Sequence, residues 1–215
     1  MAQADSVRRV VYSGVVTTKL ILASASPRRA EILHNAGYAF AVVSSAIDET
    51  PIPGESAEAM VQRLADAKAE LVAARSVGPA IVIAADTAVL IGTQILGKPR
   101  TTEDARQMLQ LLSGMTHSVI TGVSLIRLPD VERRSFVEAT QVQFATLRAE
   151  EIEEYLATGE PFDKAGGYAI QGRAGRFIPR IEGCYFNVVG LPLARLAREL
   201  RELGYHSEMA DAAGM

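Results

Sequence analysis

The sequence predicts an α/β domain, a mixed sheet with helices packed outside it. Three observations carry this. Apolar strand-like runs alternate with helical patterns through the first half, a β-rich stretch fills the middle, and helical periodicity returns at the end. With 215 residues the chain can bury one sizeable core or two small lobes.

Residues 19–23 are an apolar run that reads as a strand. Residues 27–36 read as a helix, with Ser26 as N-cap, Pro27 in the first position and Gly37 as its stop. A short strand at 40–44 leads into an acidic, proline-containing loop at 46–55. Residues 56–77 form the clearest helix: Met60, Val61, Leu64, Leu71 and Val72 mark one face, and Gly78 ends it. Residues 80–90 are apolar in the manner of a buried strand, broken by Asp86, and Gly92-Thr93 turns them back into Gln94–Leu96. Thr101 and Asp104 frame a capping box for a helix through Leu112. Residues 118–128 and 135–146 read as strands, the second with Thr140, Val142 and Phe144 on one face. A helix at 149–158, a glycine-rich loop at 160–176, a strand at 177–181 and a helix at 192–203 complete the chain. Residues 1–18 are expected to be a flexible N-terminal extension and 206–215 a frayed tail, leaving 19–205 as a single domain.

Apolar residues at 48% and charged residues at 22% place the chain among ordinary globular proteins. A net charge of −3, without a basic stripe interleaved with aromatics, argues against nucleic acid as a partner. No run approaches the ~18 apolar residues of a membrane span. Arg8-Arg9, the apolar stretch 10–16 and Ala23-Ser24-Ala25 imitate a signal peptide, but polar residues interrupt the stretch and cleavage there would destroy the corner described next. Cys184 is the sole cysteine, so no internal disulfide forms, which fits a reducing compartment; it reads as a small packed residue rather than a catalytic thiol.

The most informative segment is Ser24-Ala25-Ser26-Pro27-Arg28-Arg29. It follows a strand and opens a helix. Small side chains let an oxyanion approach the backbone, free N–H groups of the first helical turn point at it, and arginine adds full charge. The ligand is expected to be phosphorylated. Arg28 is the arginine expected to meet it; the role of Arg29 is left open.

Elsewhere each candidate has two readings. Asp86, inside an apolar strand, either caps backbone N–H groups of a turn or stands at a strand end as metal ligand or general base. Lys98 is either a surface turn residue or a phosphate contact brought near Asp86 by the hairpin. Asp48-Glu49 is either solvated or an oxygen-donor pair for Mg²⁺ or Mn²⁺. Lys68 reads as a snorkelling lysine or a cleft cation. The run Asp163-Lys164-Ala165-Gly166-Gly167-Tyr168-Ala169-Ile170-Gln171-Gly172 is either a mobile loop or a ligand-binding one, in which Gln171 could meet a nucleobase edge. His34, His117 and His206 show no metal-ligand spacing and receive no role.

These residues resemble the Maf family of nucleoside triphosphate pyrophosphatases, once named septum-formation inhibitors. The corner, Ala85-Asp86-Thr87 with Leu96-Gly97-Lys98-Pro99, the run at 163–172, and Asn187-Val188-Val189-Gly190-Leu191-Pro192 occur in the family's order over about residues 19–205. The resemblance implies a strongly bent mixed sheet, two lobes around a cleft, similar to inosine triphosphate pyrophosphatases. It also implies a divalent metal (Mg²⁺ or Mn²⁺), a cytoplasmic setting and a homodimer. Asp86 matches the presumed general base. Arg28, Thr87 and Gln171 match substrate-selecting positions, and Glu49, Lys68 and Lys98 match other charged cleft positions. Ser24 and Lys164, inside matching motifs, and Lys68 and Lys98, expected to hold the phosphates with Arg28, are placed with the substrate-binding residues; Glu49 and Asp86 are placed at the metal.

Relatives favouring 7-methyl-GTP resemble Ser-Pro-Trp-Arg-Arg at the corner, Asp-Gln at the aspartate motif and Glu at the loop position. This chain has no tryptophan, and carries Thr87 and Gln171, so it resembles the dTTP/UTP type. The expected reaction is hydrolysis of dTTP and UTP, with modified pyrimidine triphosphates as further candidates, in a house-cleaning role linked to cell-division arrest. The alternatives are a 7-methyl-GTP-type enzyme and a non-catalytic nucleotide-binding regulator of septum formation. Ala169 and Ala88 depart mildly from the family pattern.

Overall fold

The computed structural model describes residues 18–205. The expected extension, residue 18 apart, and the expected tail lie outside the described residues. In chain order the elements are β1 (Lys19–Leu22), α1 (Pro27–Asn35), β2 (Phe40–Val42), α2 (Ala57–Ala73), β3 (Ala80–Ile91), β4 (Gln94–Leu96), α3 (Thr102–Leu112), β5 (Thr116–Leu128), β6 (Glu132–Gln143), α4 (Ala149–Leu156), β7 (Arg180–Glu182), α5 (Tyr185–Val189) and α6 (Leu193–Glu202). Three short 3₁₀ turns lie between α4 and β7.

The strands form one mixed sheet in the order β2-β1-β3-β5-β6-β7, with β4 also on β3. β2, β1 and β3 run parallel, while β3, β5, β6 and β7 are antiparallel neighbours. The α/β class expected from the sequence is therefore present.

Period-two alternation along β3 sends its residues to opposite faces. Val82, Ala84 and Ala88 pack under α2, against Ala69 and Val72 at one end and Met60, Val61 and Leu64 at the other. The opposite face carries two separate cores. Ile81 and Ile83 pack with Ile32 and Leu33 of α1 and Leu196 and Leu200 of α6. Val89 packs with Leu109 and Leu112 of α3 and Ile152 and Tyr155 of α4. One long strand thus serves two lobes.

The space between the lobes follows from strand pairing. β5 covers one edge of β3 from Ala80 to Leu90. On the other edge β1 pairs only as far as Ile83, and β4 pairs only from Val89. Between them the edge at 84–88 faces a cleft of about 920 Å³.

Several boundaries differ from expectation. Asp86 does not break or end its strand: it lies mid-strand opposite Gly122, because β5 supplies a backbone partner at every step. α2 ends at Ala73, and Val77 lies beyond it, 96% exposed, where no neighbour rewards continued helix. The β5–β6 register carries β6 from Glu132 to Gln143, earlier than the expected 135–146. Phe177 is buried in a 3₁₀ turn instead of opening a strand. Ser26 holds the N-cap position without donating or accepting a side-chain cap bond. Its backbone N–H instead donates to Ser24 Oγ at 3.2 Å. The capping box is present: Asp104 N–H donates to Thr101 Oγ1, and Asp104 accepts from Thr101 N–H.

Candidate active site

Strand β1 stops at Leu22, and the chain turns through Ser24–Ser26 into α1, whose first residues enter the cleft. Helical geometry then separates the two arginines by about 100°. Arg28, 30% exposed at its side chain, points toward the cleft mouth, with Asp163 at 3.6 Å. Arg29 points inward on the same face as Ile32 and Leu33 and is buried.

Arg29 is the residue that sequence reasoning missed. Its Nε–H donates to Gly190 O at 2.8 Å, one terminal nitrogen to Ser24 Oγ at 3.1 Å, and the other to Thr87 Oγ1 at 3.1 Å. No carboxylate among the described residues lies within ion-pair distance of it. Burial draws its pKa below the ordinary arginine value while the charges of Asp86 and Glu49 oppose that, and arginine stays cationic regardless. A guanidinium has five N–H donors; three are used, and two remain on the cleft wall. A signal was available in the sequence: Arg29 stands three and four residues before Ile32 and Leu33, on the apolar stripe of its helix.

Thr87 continues this network. Its hydroxyl is 2.9 Å from Thr121 Oγ1, and Thr121 donates its own proton to Asn187 O at 3.3 Å. One hydrogen per hydroxyl then fixes the order: Thr87 accepts from Arg29 and donates to Thr121. Thr87 therefore retains only acceptor capacity toward a ligand.

On the α2 side lies the second centre. Lys68, buried on α2, places Nζ 2.6 Å from Asp86 Oδ1 and 2.6 Å from Glu49 Oε1. Burial pushes the Glu49 carboxyl upward, but the hydrogen bond and charge of Lys68, helped by Lys98 and Arg29, hold it below the ordinary glutamate value. The expected Asp48-Glu49 pair is split. Asp48 is exposed and accepts from Thr50 N–H and Oγ1–H, forming a local turn outside the cleft, while Glu49 turns in.

The close approach of α2 depends on Gly122. A Cβ there would stand 2.6 Å from the backbone of Val61. Gly122 is directly opposite Asp86, so the missing side chain lets the helix bearing Lys68 settle against the strand bearing its partner.

Lys98, after β4, lines the same cleft. Gly166 N–H donates to Gly97 O at 3.0 Å, tying the glycine-rich loop to this hairpin. In that loop Lys164 donates to Glu160 O at 2.8 Å and pairs with Asp163, and Gln171 lines the cleft from an exposed position. The loop is held by Glu160, whose carboxylate accepts from Tyr155 O–H at 2.9 Å and Arg173 N–H at 3.0 Å. The candidate substrate and metal residues Ser24, Arg28, Glu49, Lys68, Asp86, Thr87, Lys98, Lys164 and Gln171 thus line one cleft, though Lys164 is engaged by its own loop and Lys68, expected at the phosphates, is engaged by Asp86 and Glu49.

The two carboxylates that converge on Lys68 are hard oxygen donors. Among the described residues no group of three or more His, Cys, Asp or Glu is placed to hold a metal. Two carboxylates still fit Mg²⁺, which commonly takes one or two from the protein and the rest from phosphate and water.

Fold and site together define an α/β protein whose cleft sets a cationic wall against a paired-carboxylate centre, the form suited to a polyphosphate ester. The chain belongs to the Maf-like protein family, whose sequence pattern matches residues 19–203. It is 49% identical to the dTTP/UTP pyrophosphatase of Carboxydothermus hydrogenoformans, over 87% of this chain and 100% of that one. It is 51% identical to the dTTP/UTP pyrophosphatase of Geobacillus sp. WCH70, over 87% and 99%. Among solved structures, the Ham1 protein of Staphylococcus aureus overlaps with a TM-score of 0.42 at 15% identity, over 74% of this chain and 91% of that one. No helix among the described residues is long and apolar enough to cross a membrane.

Proposed function

We propose that this protein hydrolyses dTTP and UTP to the monophosphate and pyrophosphate. The observation that carries the reading is the shared ammonium: Lys68 holds Asp86 and Glu49 together opposite Arg28, Arg29 and Lys98 in one cleft. Family membership and close relatives bearing the dTTP/UTP pyrophosphatase name support the substrate class.

Arg28, Arg29 and Lys98 hold the phosphates and offset their charge. Lys68 fixes Asp86 through Oδ1, leaving Oδ2 to accept a proton from water. That water forms the new bond to the α-phosphorus, the α–β anhydride bond breaks, and pyrophosphate leaves. Positioning and charge neutralisation supply most of the rate, as in phosphoryl transfer generally. Mg²⁺ or Mn²⁺ would be held by Glu49 and Asp86, where it neutralises phosphate charge. Thr87, Gln171 and the absence of tryptophan favour the pyrimidine type over 7-methyl-GTP. A homodimer in the cytoplasm belongs to the same reading and rests on the family resemblance.

The test is pyrophosphate release across pyrimidine, purine and 7-methylated triphosphates, with Mg²⁺, Mn²⁺ or chelator. UTP and dTTP should lead, and chelator should abolish release. Asp86→Asn should lower the rate at least ~10²-fold with the fold intact. Near-normal turnover in that variant would remove Asp86 as the base, and no turnover by the unaltered protein would favour a binding regulator.

A further inference from the structure

Thr121 of β5 is wholly buried, stands directly opposite Thr87 of β3, and does not line the cleft. We propose that Thr121 is nevertheless a specificity-determining residue: it takes the proton of Thr87, so that Thr87 meets N3 of the base with a lone pair alone and the cleft selects uracil and thymine over cytosine. The assignment rests on the dTTP/UTP reading above and adds to it a residue behind the cleft wall.

Proton order comes first. At one end of a short relay is Arg29, whose guanidinium only donates: Nη2–H reaches Thr87 Oγ1 at 3.1 Å. At the other end is Asn187 O, which only accepts, 3.3 Å from Thr121 Oγ1. The two hydroxyls between them are 2.9 Å apart. Each has one proton, so all these bonds form in one order alone: Arg29 to Thr87, Thr87 to Thr121, Thr121 to Asn187. Both ends of the relay are fixed. Arg29 also donates to Gly190 O at 2.8 Å and to Ser24 Oγ at 3.1 Å. Asn187 is wholly buried, and its Nδ2 donates to Val119 O at 2.9 Å and to Thr140 Oγ1 at 3.0 Å, which pins the residue carrying the last carbonyl to β5 and β6.

The consequence is chemical. A hydroxyl oxygen has two lone pairs; at Thr87 Arg29 uses one, and the other remains on the cleft wall. A ligand must bring a donor to it. Uracil and thymine carry N3–H, whereas cytosine carries a bare N3. Lone pair against lone pair leaves a desolvated acceptor unpaired, which costs more than a hydrogen bond gains. Thr87 by itself cannot make this distinction, because a free threonine hydroxyl donates as readily as it accepts. Thr121 removes that freedom.

The test uses the full chain and compares kcat/KM for UTP, CTP and 3-methyl-UTP, in which a methyl group replaces the N3 proton. UTP should exceed both others at least about tenfold. Thr121→Val keeps the shape and removes the hydroxyl, which frees the Thr87 proton to turn toward the ligand; the UTP-to-CTP ratio should then fall about tenfold. Thr121→Ser should restore the ratio. Inhibition by inorganic tripolyphosphate, which carries the phosphates but no base, should be unchanged in both variants. A merely structural role would lower UTP and CTP turnover together and leave their ratio intact. That outcome overturns the assignment, as does CTP or 3-methyl-UTP turned over as well as UTP by the unaltered protein. Thr121→Ala replaces the valine variant if the latter does not fold. If the unaltered protein turns over no triphosphate, the hydrolytic reading falls by itself; calorimetry with UTP and CTP then judges Thr121 by the same change in ratio.

Discussion

Arg29 is a buried cation whose immediate partners, Gly190 O, Ser24 Oγ and Thr87 Oγ1, are all neutral. Burying charge without a counter-ion is costly, and an incoming phosphate supplies one. Lysine in its place would keep the charge but lose the planar fork that holds three acceptors at once. Arg29→Lys should therefore lower kcat/KM about 10- to 100-fold, and more than Arg28→Lys does at its more exposed position. Steady-state kinetics on both variants decides this; equal losses, or a larger loss for Arg28→Lys, would reverse the ranking. The residue types of the site were legible in the sequence because they cluster in motifs. Their pairing was not. Two adjacent arginines are told apart only by which one shares a helix face with Ile32 and Leu33, and Lys68 and Glu49 are joined through tertiary packing alone.

At the scale of elements, Gly122 sets the distance between α2 and the sheet. Gly122→Ala forces a methyl group into the Val61 backbone, and the helix must move. Overpacking of this kind costs about 1–3 kcal/mol, and here it also draws Lys68 from Asp86. We expect a lower thermal midpoint together with a fall in kcat; a variant stable and active as the parent would show that the helix can shift freely. Long elements were legible because periodicity and caps repeat the same message, as in the Thr101–Asp104 box. α5 was not, since five residues contain no period to read. Nor was the continuation of β3 through Asp86, which depends on a partner strand more than thirty residues away.

At the scale of the molecule, stability should depend on acidity through His117. It is buried, lies 2.7 Å from Tyr168 Oη through Nε2, and burial pushes its pKa down to about 4. The unfolded chain takes up a proton near pH 6.5 and the folded chain only near 4. Stability is thus complete above ~6.5 and falls as pH drops toward 4, by up to ~3 kcal/mol. A thermal midpoint that is flat between pH 6.5 and 4, or a slope no smaller in His117→Phe than in the parent, would sink this account; paired carboxylates such as Glu49 and Asp163 supply the slope that remains. The general architecture was legible from alternating patterns, but the location of the cleft was not, because it comes from where two strands stop beside a third. That unbroken third strand has a mechanical meaning. β3 is paired to β5 at eleven successive positions and runs under both lobes, so the lobes share a stiff spine where a hinge loop would otherwise be. Substrate capture should then proceed without a closing step: the observed binding rate should rise linearly with UTP concentration, and a plateau would mean that the spine bends.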